Sequence, residues 1–432
     1  MTFGKHKVHR LVVMVALMST SLAGLLFSGL ASGGTFATLT SGNAASLHGE
    51  LPPGACETDS SSSQEPVSGG PRPLPTPLET DIPALRCISD DYPSFNGVAV
   101  DPENDIVAFS DTNRKSVLIY RRRDGDKTQN ETPPTQRIQG PKTLIGFVAG
   151  MVLDSVNREV MTVNNDIEDT LMTFPYDAEG NVTPARVLAV PHQSWGIALD
   201  RTSDQIAVTV QSLDAVVFYR RLANKVEAPL RSIIGANTGL ADPHGIYVDD
   251  TNGEIVVASH GNKAEGDVSV GNLGDVPGGR FEPPSLNVYP ESASGDAKPI
   301  RRIAGSQTQL NWPMGIVVDK SSDEIAVANN GDNSILFFKR SETGNVAPSR
   351  VIRGKRTGIN RPMSVAIDHK NNEIWVANFG DHTALVFERN GNGNPTPKRI
   401  IRNAPAGTPS VGFGNPMAVA YDTKRGEILV PN

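Results

Sequence analysis

An all-β fold made of repeated four-stranded units arranged in a ring, a β-propeller, follows from three observations. A short apolar strand ending in Asp recurs along most of the chain. Each copy is followed, in a constant order, by further β-branched strands set apart by turn residues. The copies are spaced by 53, 46, 49, 70, 49 and 54 residues. Short β-branched runs punctuated in this way are strands rather than helices, and four strands per repeat of about fifty residues make one propeller blade.

The first strand reads GVAVD, GMVLD, GIALD, GIYVD, GIVVD, SVAID and AVAYD, closing on Asp101, Asp154, Asp200, Asp249, Asp319, Asp368 and Asp422. An Asp before a tight turn binds its own downstream backbone, and a catalytic group has no reason to be copied around a ring. These carboxylates are therefore expected to be structural. The second strand reads DIVAFS, EVMTVN, QIAVTV, EIVVAS, EIAVAN, EIWVAN and EILVPN. The third reads SVLIYR, TLMTFP, AVVFYR, SLNVYP, SILFFK and ALVFER, and stops one copy short. The fourth, TQRIQG through PKRIIR, carries Arg137, Arg186, Arg231, Arg302, Arg350 and Arg399, where charge on an outer edge discourages pairing with another sheet. ALRCIS at 84–89, with Arg86, supplies a seventh fourth strand ahead of the first blade. The count therefore predicts seven blades, the last completed by strands from both chain ends, with six blades as the alternative.

Residues 1–33 combine Lys5, Lys7 and Arg10, an uncharged stretch over 11–30, and a small-residue exit. That is the form of a secretory signal, with an uncleaved membrane anchor as the alternative. Residues 34–83 contain a Ser/Pro/Gly tract that cannot bury a core and reads as a flexible linker. Residues 84–432 are the propeller. Cys56 and Cys87 are the only cysteines, and an oxidising compartment would pair them. Two cysteines exclude a Cys-based zinc cluster and a disulfide scaffold. Forty basic against 47 acidic residues give a net charge of −7, which disfavours phosphate-driven nucleic-acid binding.

The phrases GNVAPSRVIRG, TGLADPHGIYVD and EIAVANNGDNSILFFKR resemble NHL-type and lactonase (YncE-like) propeller repeats of secreted bacterial proteins over residues 84–432. The resemblance implies the fold. It also implies a ligand face formed by the loops from fourth to first strand and from second to third strand. It leaves function open, because such propellers include hydrolases, lyases and binding scaffolds.

The non-repeating residues on that face are the candidate site. Before the first strands stand Asn96, Ala149, Trp195, His244, Met314, Met363 and Met417, expected to ring the channel mouth. After the second strands stand Asn164, Gln211, His260, Asn329, and Asn378 with Asp381 and His382. One reading is structural, with Asn at strand ends and Met filling the channel. A second is a metal site, copper on His and Met or calcium on Asn and Asp oxygens. A third is acid–base or hydrolytic chemistry by His244 or His382 with Asp381, Asp332 or Asp166. Sequence signatures of haem attachment, nucleophile elbows, zincins and P-loops are absent. A long Gly-rich insertion at 261–285 projects from the same face. The expectation is thus an exported, non-catalytic binding or scaffold module at the cell envelope or outside the cell. Its partner would be a protein or cell surface, with no nucleic acid, no resident cofactor and membrane contact only through an N-terminal anchor. A lactonase- or lyase-like hydrolase at the channel mouth is the alternative.

Overall fold

A computed structural model describes residues 90–127, 130–165, 168–263, 280–408, 410, 420–422, 424 and 427–429. The segments read from sequence as a signal or anchor, a linker and a strand at 84–89 lie outside these residues, as do Cys56, Cys87, Asp166 and Met417. Among those described, no helix is long and apolar enough to cross a membrane.

Six four-stranded antiparallel sheets succeed one another along the chain, and each takes its four strands from one repeat. Blades 1 to 6 span residues 95–139, 148–189, 194–233, 243–304, 313–353 and 362–402. Blade 5 shows the pattern: Pro313–Asp319, Glu324–Asn329, Ser334–Lys339 and Arg350–Arg353 pair in sequence order from the channel outwards. Its second and third strands are buried along nearly their whole length, because blades pack face to face and cover both surfaces. This is why those strands read as continuous Ile, Val, Ala and Phe rather than as an alternating pattern.

The ring closes at six. The first strand of blade 1, Phe95–Asp101, packs directly against the first strands of blade 2 and of blade 6, Pro362–Asp368. The seven-blade expectation is corrected accordingly, and the six-blade alternative holds. The seventh copy contributes a separate two-stranded sheet, Ala420–Asp422 with Glu427–Leu429. It had only two strands to count, and a blade needs four.

The glycine that opens most first strands sets how closely blades approach the axis. A Cβ on Gly196 would lie 2.2 Å from the His244 carbonyl oxygen, and one on Gly245 2.2 Å from that of Met314. Neighbouring inner strands thus meet backbone to backbone. They surround an axial cavity of about 350 Å³, with Val152, Leu199, Tyr247 and Val317 on its wall.

The repeated charges are structural, as expected for the Asp residues. Asp101 accepts the backbone N–H groups of Glu103 and Asn104, and Asp319 those of Ser321 and Ser322. The outer arginines do more than guard an edge. Arg186, Arg350 and Arg399 reach back across their sheets to Glu159, Glu324 and Glu373 at the start of the second strands. In blade 4 the reaching residue is Arg301, on Glu254, rather than Arg302.

Each outer strand also grips the next blade. Gly180, Lys225, Gly295, Gly344 and Gly393 lie in turns between third and fourth strands, and each bridges the fourth strand of the preceding blade. Gly344, for example, donates to the Arg302 carbonyl at 2.7 Å and accepts from the Ala304 N–H at 3.1 Å.

Candidate functional site

Loops at one end of the ring bring together the start of the first strand and the end of the second. In blade 4, Pro243–Asp249 begins just after Asp242 and carries His244, while Glu254–Ser259 ends just before His260. Pairing of Pro243 with Ser259 sets the two histidines side by side. Their rings stack at 3.5 Å between centroids and 16° between planes. Both are buried. Burial disfavours their charged forms and pushes both below the usual histidine range, and the neighbouring His244 acts on His260 in the same direction.

Asp242 faces both rings. His244 Nδ1 lies 3.5 Å from Asp242 Oδ1, and His260 Nδ1 lies 3.7 Å from Oδ2. His244 Nδ1 is also 3.0 Å from the Asp242 carbonyl oxygen. The far nitrogens have separate partners: Gln211 Nε2 at 2.7 Å from His244 Nε2, and Met314 Sδ at 3.0 Å from His260 Nε2. Gln211 further donates to Asp242 Oδ1 and accepts from Asn165, and Asn262 donates to Asp242 Oδ2. One ligand-type atom from each of Asp242, His244 and His260 falls within 4.8 Å of the others, the one such cluster among the described residues.

Aromatic rings extend this pair in both directions. Trp195 lies 4.8 Å from His244 and Phe147 6.3 Å from Trp195; Trp312 lies 5.1 Å from His260. The arc Phe147–Trp195–His244–His260–Trp312 spans four blades. Trp312 is 57% exposed, and its backbone sits at φ 51°. Left-handed backbone is costly for a bulky residue. Asp242 at φ 53° and Arg361 at φ 50° hold the same loop position.

The other sequence candidates separate into two groups. Asn96, Trp195 and Met363 line the axial cavity, whereas Ala149, His244 and Met314 do not. Met314 is instead buried in the core between blades 5 and 6. Asn164, Asn329 and Asn378 are fully buried pins: their carboxamide oxygens accept the N–H groups of Gly146, Asn311 and Asn360, and their nitrogens donate to Leu144, Gln309 and Gly358. Asp381 accepts from Asn378 and Thr383. His382, fully buried, holds the Pro93 carbonyl at 2.8 Å and faces Asp90 at 3.4 Å, fastening the segment that leads into blade 1. The 261–285 insertion begins as a short ladder, Asn262–Lys263 with Arg280–Phe281; its interior lies outside the described residues. Asp242 and Trp312 were missed by sequence reasoning. Their signal was positional: each precedes a proline at the start of a first strand.

No protein-family model and no curated protein matches this chain. Among solved structures, the chain is similar to one described as the crystal structure of a nidogen/laminin complex, with 13% identity, 72% of this chain and 95% of that chain covered, and a TM-score of 0.43.

Proposed function

We propose that this protein is an exported, non-catalytic binding module whose partner, a protein or cell-surface component, docks on the end of the ring that carries Trp312. The observation that carries this reading is Trp312 itself. A large aromatic ring is held out at the surface on a left-handed backbone, over the buried His260 ring. The left-handed position recurs with Asp242 and Arg361 and belongs to the loop; what is particular to Trp312 is its exposed ring, and Trp is a preferred anchor at interfaces. Exposed Phe281, at the base of the adjacent insertion, adds apolar surface on the same side. The hydrolase alternative gains nothing from Asp381 and His382, whose polar atoms fasten loops. Export is supported by the basic head and apolar stretch of residues 1–33.

The test is binding of the labelled protein to the surface of cells that produce it. Trp312→Gly should keep the wild-type melting temperature or raise it, because Gly accepts φ 51°. The same variant should lose at least tenfold in affinity, and protease treatment of the cells should abolish binding if the partner is a protein. Unchanged binding by Trp312→Gly would sink the proposal.

A further inference from the structure

We propose that Asp242, His244 and His260 form a binding site for a borderline divalent metal ion of the zinc class, held by two imidazole nitrogens and one carboxylate oxygen. The site lies at the end of the ring assigned to docking, but does not depend on that reading. Three features carry it. First, the three side chains offer ligand atoms within 4.8 Å of one another, close enough for side-chain rotation to bring them around one ion. Second, both histidine Nδ1 atoms face the same carboxylate, at 3.5 and 3.7 Å. Third, the carboxylate is held by outer partners of the kind that orient metal ligands. Asn262 and Gln211 each donate an amide N–H to one of the two Asp242 oxygens.

The donor set selects the ion. Calcium takes six to eight oxygens, and one carboxylate with two imidazoles does not supply them. Reduced copper prefers sulfur, but Met314 meets His260 at Nε2, on the far side of the ring from Asp242. Two imidazoles and a carboxylate suit zinc, with three protein ligands and one coordination position left over. The rings now stack 3.5 Å apart and nearly parallel. An ion must lie near the plane of each imidazole it binds, so binding requires them to splay. Trp195 and Trp312 flank the pair and would report that movement.

The experiment is equilibrium dialysis of the metal-free full chain against zinc, with bound metal counted by elemental analysis and tryptophan fluorescence followed in parallel. One zinc per chain and a fluorescence change are expected, with no competition from a hundredfold excess of calcium. His260→Ala and Asp242→Asn should each weaken binding at least tenfold, with folding checked by circular dichroism. Met314→Leu and the exposed-site control His192→Ala should retain full stoichiometry. Trp312→Gly should still bind zinc even if it loses surface docking, which keeps the two proposals separable. Substoichiometric zinc in the wild type, or full zinc binding by a folded Asp242→Asn or His260→Ala variant, would overturn the site. Loss of zinc in Met314→Leu would overturn the nitrogen–oxygen ligand set in favour of sulfur.

Discussion

Asp126 and Ile400 exchange both backbone hydrogen bonds, at 3.1 and 2.7 Å, across the junction between the first and last blades. Every other junction is bridged in parallel fashion, mostly through a turn glycine; this one is antiparallel and supplied by the longer turn of blade 1. The seam is therefore sealed by residues inside the two blades. A chain ending after Ser410 should melt within about 2–4 °C of the full chain, the shift that about 1 kcal/mol gives in a large domain. Ile400→Pro, which removes the N–H donated to Asp126, should cost about 1–3 kcal/mol in urea unfolding. Severe destabilisation by the truncation would show that residues beyond 410 complete the ring.

Gly245→Ala tests the packing of inner strands. The new methyl would stand 2.2 Å from the Met314 carbonyl oxygen, and backbone cannot rotate aside as a side chain can. Overpacking of this kind costs about 1–3 kcal/mol, or more where nothing yields. Chemical denaturation should show that loss, and a variant as stable as the wild type would mean that the blades can slide apart.

Asp319→Asn should be worse than a broken turn. The carboxylate accepts two turn N–H groups and is also held by Arg389 of the next blade, at 2.8 and 3.0 Å. Burial raises its pKa, but Arg389 and the turn donors outweigh burial and hold the carboxyl below its usual range. The amide keeps the turn and loses the ion pair, so the expected cost is about 1.5–3 kcal/mol. Because the folded pKa is depressed, this stabilisation is present at neutral pH and fades as pH falls through the folded value. Wild type and variant should therefore converge in acid when melting temperatures are compared across pH.

Glu291 breaks a pattern that the other blades keep. After the third strand, Arg122, Tyr176, Arg221, Arg340 and Arg389 each reach an acidic group of the preceding blade. At the junction of blades 3 and 4, Glu291 meets Asp200 instead, and desolvation together with that shared hydrogen bond raises its pKa. A raised carboxyl favours the fold while protonated, and the benefit is lost as pH rises through the folded value. Glu291→Gln should therefore raise the melting temperature near neutral pH and change it little near pH ~4. Destabilisation at neutral pH would contradict this arrangement.

The fold was legible because the same physical need recurs in every blade. Each first strand must end in a turn, so Asp101 through Asp368 repeat, and each second strand is buried on both faces, so its middle residues are mostly apolar. The number of blades was harder to read, since a motif count includes a copy with only two strands, and closure depends on Phe95–Asp101 meeting Pro362–Asp368 across the whole chain. In the site, His244 and His260 were traceable to one end of the ring from strand order alone. Asp242 and Trp312 were not, because a left-handed backbone before proline runs against the local preference of both residues. His382 looked equivalent to His260 in position. Burial against Pro93, far away in sequence, gives it a different task.

Because no described blade borrows a strand from the opposite chain end, synthesis need not wait for closure. Each sheet can form as its repeat emerges, with local hairpins and modest loop-closure cost. Closure, in which Phe95–Asp101 meets Pro362–Asp368 and Asp126 meets Ile400, must await blade 6. Until then the growing polypeptide is an open arc with blade 1 bare on one flank, so the period of greatest exposure to misassociation falls late in elongation and ends in a single docking event.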